Sequence, residues 1–181
     1  MLEVRIHGRG GQGVRMSAHI LGRAAFLSGY KTQDFALYQA ERRGAPVASF
    51  VRFGKEDVLE RGYIQDPDAV IVLDETLNFE ILLRGIKPGG FVIINSHRSK
   101  EWFKKKFNIR HKVYCIAATD IALKILGKPI ANCAILGSLI KLIGLPEKNL
   151  EKAIKIELGK RHPEAVEKNI KAARVCYGVI K

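Results

Sequence analysis

The sequence predicts an α/β protein: a three-layer α/β/α arrangement on one mixed sheet, with a mostly helical C-terminal part. Three observations carry this. Strand-length apolar runs alternate with stretches of helical periodicity through the first two thirds of the chain. Two of those runs, 69–73 and 91–94, are apolar at every position, as in strands buried on both faces. After Thr119 the apolar residues keep a helical step to the end. With 181 residues, 1–181 is read as a single domain, long enough to bury a core without disulfides or metals.

The elements follow in order. Leu2, Val4 and Ile6 alternate with Glu3, Arg5 and His7, which is the two-residue period of a strand. Gly8-Arg9-Gly10-Gly11-Gln12-Gly13 then forces a tight turn. Val14, Ala18, Leu21 and Ala25 start a helix, and the small Ala18, Gly22 and Ala25 let it lie close to a sheet. Residues 31–38 predict a second strand and 47–53 a third. The polar loop 38–46 between them is too short for a crossover helix, so these two strands pair antiparallel and the sheet is mixed. Asp66-Pro67-Asp68 turns the chain into the buried strand 69–73. A helix over 75–86 is closed by Lys87-Pro88-Gly89-Gly90. Strand 91–94, a basic helix over 100–107 and strand 112–117 complete the alternating part. Helices over 121–126, 132–143 and 147–158 follow. Pro163 suits the first position of a last helix whose Val166, Ile170 and Ala173 face inward.

Composition narrows the function. Hydrophobic residues make up 47% and charged residues 27%, as in a folded protein rather than a disordered one. The net charge of +13 favours an anionic partner: nucleic acid, a phosphorylated cofactor or acidic sister subunits. A Lys-rich surface of the hyperthermophile kind is the plainer explanation. Cys115, Cys133 and Cys176 are scattered, with no C-x-x-C spacing. A zinc or iron–sulfur site bound by this chain alone is therefore not expected, and a reducing compartment is. Charges interrupt the N-terminal apolar residues, and apolar runs such as 69–73 fall far short of a membrane helix. Neither a signal peptide nor a membrane span is expected, and the reading is a soluble cytoplasmic protein.

Gly8, Gly10 and Gly13 satisfy G-x-G-x-x-G between a strand and a helix, which makes the sheet Rossmann-like. Glycines let backbone approach a phosphate, and a helix N-terminus supplies free N–H groups and a positive dipole end. Arg9 adds charge. A ligand-free strand–helix turn is the plain counterpart. Asp34, 21 residues beyond Gly13, stands near where a dinucleotide fold carries its ribose-binding acid. A stand-alone NAD(P)- or flavin-binding protein is therefore an alternative, although Phe35, Leu37 and Tyr38 continue the strand past that acid. Val14 occupies the position of the P-loop lysine, so this is no P-loop. The second constellation is Glu41-Arg42-Arg43-Gly44-Ala45-Pro46, whose arginines suit bidentate anion binding, against a merely solvated charged loop.

Other candidates are weaker. Asp74 and Glu75 read as a helix N-cap and first-turn acid, and Thr119-Asp120 likewise. Ser96-His97 lacks a G-x-S-x-G setting, and the five histidines have no metal-ligand spacing. Arg98, Lys100, Lys104, Lys105, Lys106, Arg110 and Lys112 interleave with Trp102, Phe103 and Phe107. That composition suits nucleic acid, but an amphipathic helix with its aromatics inward explains it better, and the base-stacking motif of RNA-recognition sheets is absent.

Taken together, Gly8-Arg9-Gly10-Gly11-Gln12-Gly13-Val14 and Glu41-Arg42-Arg43-Gly44-Ala45-Pro46-Val47 resemble the gamma subunits of 2-oxoacid:ferredoxin oxidoreductases. Leu73-Asp74-Glu75-Thr76-Leu77, Ala118-Thr119-Asp120-Ile121-Ala122, Asn132 with Leu136-Gly137, and Asn169 ahead of Tyr177 extend the likeness over nearly the whole chain. The resemblance implies a subunit without catalysis of its own, in an enzyme that decarboxylates a 2-oxoacid oxidatively and passes the acyl group to coenzyme A. It implies thiamine diphosphate with its magnesium between alpha and beta subunits. It also implies [4Fe–4S] clusters on a ferredoxin-like delta subunit, and ferredoxin as acceptor. The Arg-Gly-Ala-Pro wording is similar to the pyruvate and branched-chain members. The anion-suited loops in a strongly basic chain add the expectation that it packs over the thiamine site and helps bind coenzyme A. The contacts would come from Gly8, Arg9, Gly10, Gly11, Gln12, Gly13, Glu41, Arg42, Arg43 and Gly44. Which of Arg42 and Arg43 acts stays open, because the Glu-x-Arg-Gly pattern selects Arg43 and Glu-Arg-x-Gly selects Arg42.

Overall fold

The computed structural model describes residues 1–37, 43–159 and 162–180. Among them six strands form one mixed sheet with seven α-helices packed on it. The elements are β1 (Leu2–Arg9), α1 (Val14–Leu27), β2 (Lys31–Ala36), β3 (Pro46–Gly54), β4 (Ala69–Val72), α2 (Phe79–Leu82), β5 (Phe91–Asn95), α3 (Lys100–Phe107), β6 (Lys112–Ile116), α4 (Ala118–Leu126), α5 (Asn132–Ile143), α6 (Glu147–Gly159) and α7 (Val166–Val179). The spatial order is β2-β3-β1-β4-β5-β6. Strands β1, β4, β5 and β6 run parallel. Strand β3 is antiparallel to both β1 and β2, and its pairing with β2 is the one the short 38–46 connection predicts.

Sheet alternation divides the core in two. Val4, Ile6, Ile71 and Ile93 face α1 and the C-terminal helices, of which α5 contributes the fully buried Ile135, Leu136, Leu139 and Ile140. Val70, Val72, Val92 and Ile94 face Phe79 of α2 and Phe103 of α3. Gly137 sits where α5 crosses α7, because a Cβ there would lie 1.9 Å from the Ala173 carbonyl oxygen.

Three boundaries differ from the sequence reading. The helix expected over 75–86 is only the short α2. The Asp74 carboxylate accepts bonds from the Thr76 N–H (2.9 Å) and hydroxyl (2.5 Å), which holds the chain in a turn. Asn78, not Asp74, then caps the helix through the Glu80 N–H. Beyond it the buried Arg5 guanidinium takes the Leu82 and Arg84 carbonyls at 2.9 and 2.6 Å, and these are groups a longer helix would use. The α4 helix starts at Ala118 rather than 121, because Asn95 at the end of β5 accepts the Thr119 N–H at 3.0 Å. Pro163 opens a 3₁₀ turn, Pro163–Ala165, and α7 starts after it. No described helix is long and apolar enough to cross a membrane.

Candidate anion-binding loops and their clamp

On β1 the residues Glu3, Arg5, His7 and Arg9 share the face opposite Val4 and Ile6. Arg9 closes the strand. The glycine turn then reverses the chain, with the Gln12 N–H bonded to the Arg9 carbonyl at 3.0 Å. Gly8 is glycine for want of room: a Cβ there would stand 2.6 Å from Val14 Cγ2. Gly13 begins α1 in the left-handed region at φ 77, and its Cβ would lie 2.4 Å from Asn132 Nδ2.

The two motif loops lie side by side. The Gly10 N–H donates to the Ala45 carbonyl at 2.9 Å and the Gly44 N–H to the Gly10 carbonyl at 3.1 Å. Arg43 is exposed beside Gly11. Glu41 and Arg42 lie outside the described residues, so the choice between Arg42 and Arg43 rests on the sequence alone.

Arg9 is a clamp rather than a mobile charge. It donates to the Gly44 carbonyl at 3.1 Å and to Thr76 Oγ1 at 2.7 Å, and its Nε lies 3.3 Å from Asp74 Oδ2. Gln12 completes the set: its Oε1 accepts the Arg9 N–H at 2.8 Å and its Nε2 donates to Asp74 at 2.9 Å. Burial alone would raise the Asp74 carboxyl. Bonds from Thr76 and Gln12 with the Arg9 charge outweigh it and hold the group below the usual carboxylate range. Asp74, read from sequence as a cap, is thus the anchor that joins the loop after β4 to the loop after β1.

Two clefts flank the glycine turn. One, of about 610 Å³, runs from Arg9 and Gly10 past Arg15, His19 and Arg23 to Ser49 on β3. The other, of about 430 Å³, brings together the starts of three helices: Gly13 of α1, Asn132 of α5 and Ala165 of α7. Lys128 and Lys168 stand beside it with Glu164 as the acid, and Met16, Leu126, Ile130 and Leu158 supply apolar wall. Asn132 is 6% exposed, and its Oδ1 accepts the Cys133 N–H at 2.8 Å, which turns the side-chain amide toward Gly13.

The remaining candidates are dispersed. Asp34 does not meet the glycine turn, since β3 intervenes between β1 and β2. Its carboxylate lies against Gly22 and bonds His19 at 2.9 Å. Ser96 is bonded to Glu75 and accepts the Arg98 N–H, whereas His97 pairs with Asp120 at 3.1 Å, so the two do not form a nucleophile–base pair. Phe103 is fully buried and Phe107 stacks on Phe79 at 4.5 Å, so these α3 aromatics point inward. Burial pushes the Cys133 and Cys176 thiols up to about 12, which suits apolar packing and not thiolate ligation of a cluster. Among the described residues no group of three or more His, Cys, Asp or Glu could hold a metal ion.

Known proteins share this fold. Residues 3–179 match the family described as pyruvate ferredoxin/flavodoxin oxidoreductase. The chain is similar to the pyruvate/ketoisovalerate oxidoreductases common subunit gamma of Pyrococcus furiosus, 44% identical over 180 residues, covering 98% of this chain and 96% of that one. It is also similar to the crystal structure of pyruvate oxidoreductase subunit PORC from Thermotoga maritima, with a TM-score of 0.86 and 33% identity over 98% of this chain and 95% of that one. The fold recurs in the 2-oxoglutarate:ferredoxin oxidoreductase of Magnetococcus marinus at a TM-score of 0.81 and 21% identity, covering 99% of this chain and 31% of that one.

Proposed function

Since this chain belongs to the pyruvate ferredoxin/flavodoxin oxidoreductase family as a gamma subunit of the multi-subunit enzyme, we propose that it packs over the thiamine site and binds the ADP end of coenzyme A. In this reading the whole of 1–181 acts as one domain in the cytoplasm. Alpha and beta subunits hold thiamine diphosphate and magnesium, and a ferredoxin-like delta subunit holds [4Fe–4S] clusters and passes electrons to ferredoxin. Pyruvate is the favoured 2-oxoacid, from the Arg43-Gly44-Ala45-Pro46 wording and from the names of the similar subunits.

The observation that carries the coenzyme A reading is the cleft shared by the starts of α1, α5 and α7. Three helix N-termini with Lys128 and Lys168 suit phosphate groups, and Met16, Leu126, Ile130 and Leu158 suit an adenine face. Gly8, Gly10, Gly11 and Gly13 shape the turn. Arg9, Gln12 and Gly44 hold it through the clamp, and Arg43 stands exposed beside Gly11; Glu41 and Arg42 enter this reading from the sequence alone. Coenzyme A would supply the thiol that accepts the acyl group, and this chain's own residues would only bind and orient it. A stand-alone dinucleotide enzyme is disfavoured by the insertion of β3 between β1 and β2 and by the pairing of Asp34 with His19.

The test uses the assembled enzyme with Lys128→Ala and Lys168→Ala at the cleft, and separately Arg9→Ala and Arg43→Ala in the loops beside it. Loss of a charge-assisted phosphate contact is worth about 1.5–3 kcal/mol, so the KM for coenzyme A should rise about tenfold or more while that for the 2-oxoacid holds. An unchanged coenzyme A KM with assembly intact refutes the reading. Weakened association with the other subunits, at an unchanged KM, would make these loops an interface alone.

A further inference from the structure

The charge on this chain is not spread evenly. On α6 and α7 six bases stand with four acids, and two ion pairs cross between the helices: Arg174 meets Glu151 at 2.5 Å and Lys155 meets Glu167 at 3.3 Å. The outer side of α3 is different. Arg98, Lys100, Lys104, Lys105, Lys106, Arg110 and Lys112 are all exposed, and Glu101 is the one acid in that stretch of sequence. Glu101 is 3.9 Å from Lys100, and Glu75 is 3.6 Å from Arg98. No described carboxylate forms an ion pair with Lys104, Lys105, Arg110 or Lys112. The helix dipole favours the cations of the last turn, but it disfavours Lys100 in the first and does not reach Arg98, Arg110 or Lys112 outside the helix.

The face is also rigid. Ser99 caps the helix at its start through the Trp102 N–H, and Asn108 ends it in the left-handed region at φ 49. Trp102, Phe103 and Phe107 pack with one another and with Phe79 beneath. Arg98 and Lys106 lie over the Trp102 ring at 4.3 and 4.5 Å. The cations thus stand on a fixed platform, and the apolar side chains are already consumed by the chain's own core.

We infer that the outer side of α3, with Arg110 and Lys112 beyond it, is a docking surface for an acidic soluble electron-carrier protein. Permanent subunit interfaces have apolar centres and are poor in lysine, whereas brief redox encounters are small, charged and salt-sensitive. A lysine-rich face without exposed apolar side chains fits the second kind. In an enzyme of this family, the protein that must arrive and leave in each cycle is the acceptor, so its partner is an acidic carrier and not a sister subunit. The inference rests on the family assignment and on the reading that the clusters lie on a sister subunit, so that this face would hold the carrier while it takes electrons there; it is independent of the coenzyme A proposal.

The experiment compares the wild-type complex with a complex carrying Lys104→Glu, Lys105→Glu and Arg110→Glu, all outside the aromatic packing. The acceptor is either a ferredoxin that the wild-type complex reduces or a small viologen dye. A milder variant with Gln at the same three positions accompanies it. At low salt the charge-reversed complex should show a KM for ferredoxin raised about tenfold or more, with Gln giving a smaller rise in the same direction. The rates with dye and the KM for coenzyme A should hold. The difference should vanish toward about 1 M salt, where the screening length is about 3 Å. An unchanged ferredoxin KM and salt slope in both variants overturns the inference. So does release of the gamma chain from the complex, which would make the face a permanent interface. So does salt-sensitive RNA binding lost in the variants while the ferredoxin KM stays constant.

Discussion

Protonating His7 should be the first event to weaken this fold as pH falls. Its side chain lies on the β1 face shared with Arg5, and its Nε2 is buried without a hydrogen-bond partner among the described residues. Burial, and secondarily the Arg5 charge, push its pKa down to about 3. In the unfolded chain the same group titrates near 6.5. The folded state therefore binds the proton less readily, and His7 contributes stability that is full above the unfolded pKa and declines as pH falls toward 3. Between pH 7 and pH 5 the unfolded histidine gains about three quarters of a proton and the folded one almost none, which removes about 2 kcal/mol. For a chain of this size that is about 4–8 °C in Tm. Glu3, held below its ordinary value by bonds from Arg52 and Lys87 that outweigh its burial, and Asp74 add their share only at lower pH, near and below the ordinary carboxylate range. Urea unfolding of the purified chain at pH 7 and pH 5, for wild type and His7→Leu, isolates the histidine. Wild type should lose about 2 kcal/mol more than the variant over that interval. Equal losses in the two proteins would show that His7 is already solvated or charged in the folded state, and the argument from burial would fail.

Gly13→Ala should destabilise the chain by about 2 kcal/mol or more, since it combines φ 77 with a Cβ 2.4 Å from Asn132; denaturant unfolding reads it. Gly137→Ala should cost about 3 kcal/mol or more by forcing α5 away from the Ala173 carbonyl, seen as lost thermal stability with a loosened C-terminal helix layer. Asp74→Ala should cost about 1–3 kcal/mol and raise amide exchange in residues 9–13 and 43–45, because it unhooks Arg9, Gln12 and Thr76 together. Thiol labelling of the native chain at pH 8 should leave Cys133 and Cys176 unmodified until the protein unfolds, given thiols pushed up to about 12. Rapid native labelling of either would refute that placement.

Local patterns made most of the sheet legible. The alternation of Leu2, Val4 and Ile6, the fully apolar 69–73 and 91–94, and the short 38–46 connection correspond to β1, β4, β5 and the antiparallel β2–β3 pair. What stayed hidden depends on partners distant in sequence. Asp74 looked like a local cap because its own neighbours explain an acid there. Besides Thr76 it also meets Gln12, 62 residues away, and no local pattern encodes that bond. The α4 helix lacks a capping side chain of its own because Asn95, 24 residues earlier, supplies the bond. Arg5 reads as an outward strand residue, yet it ends α2 from 77 residues away. The glycine turn was legible as a turn. That its Arg9 faces a carboxylate was not.

The clamp bears on what kind of protein this is. In doubly wound α/β folds a ligand enters at the crevice between neighbouring parallel strands whose following helices go to opposite faces. Here those strands are β1 and β4: α1 packs on one face of the sheet and α2 on the other. Arg9, Gln12, Asp74 and Thr76 fill that crevice with bonds to one another. A free-standing nucleotide enzyme would need it open. A subunit does not, because a firm strand edge presents two joined loops at fixed geometry to whatever it packs against. On the coenzyme A proposal, ligand contact is displaced to the cleft at the starts of α1, α5 and α7, while the stretch around α3, on the opposite face of the sheet, carries a local excess of positive charge. Of the net charge of +13, α6 and α7 together hold +2, from six bases and four acids, and residues 98–112 hold +6, from seven bases and one acid. That division makes a prediction about the partners. If it is right, neutralising the α3 face alone should remove most of the salt dependence of ferredoxin reduction. Neutralising as many lysines on α6 and α7 should remove little. Equal effects from the two sets would mean that only total charge matters, and the face would lose its special role.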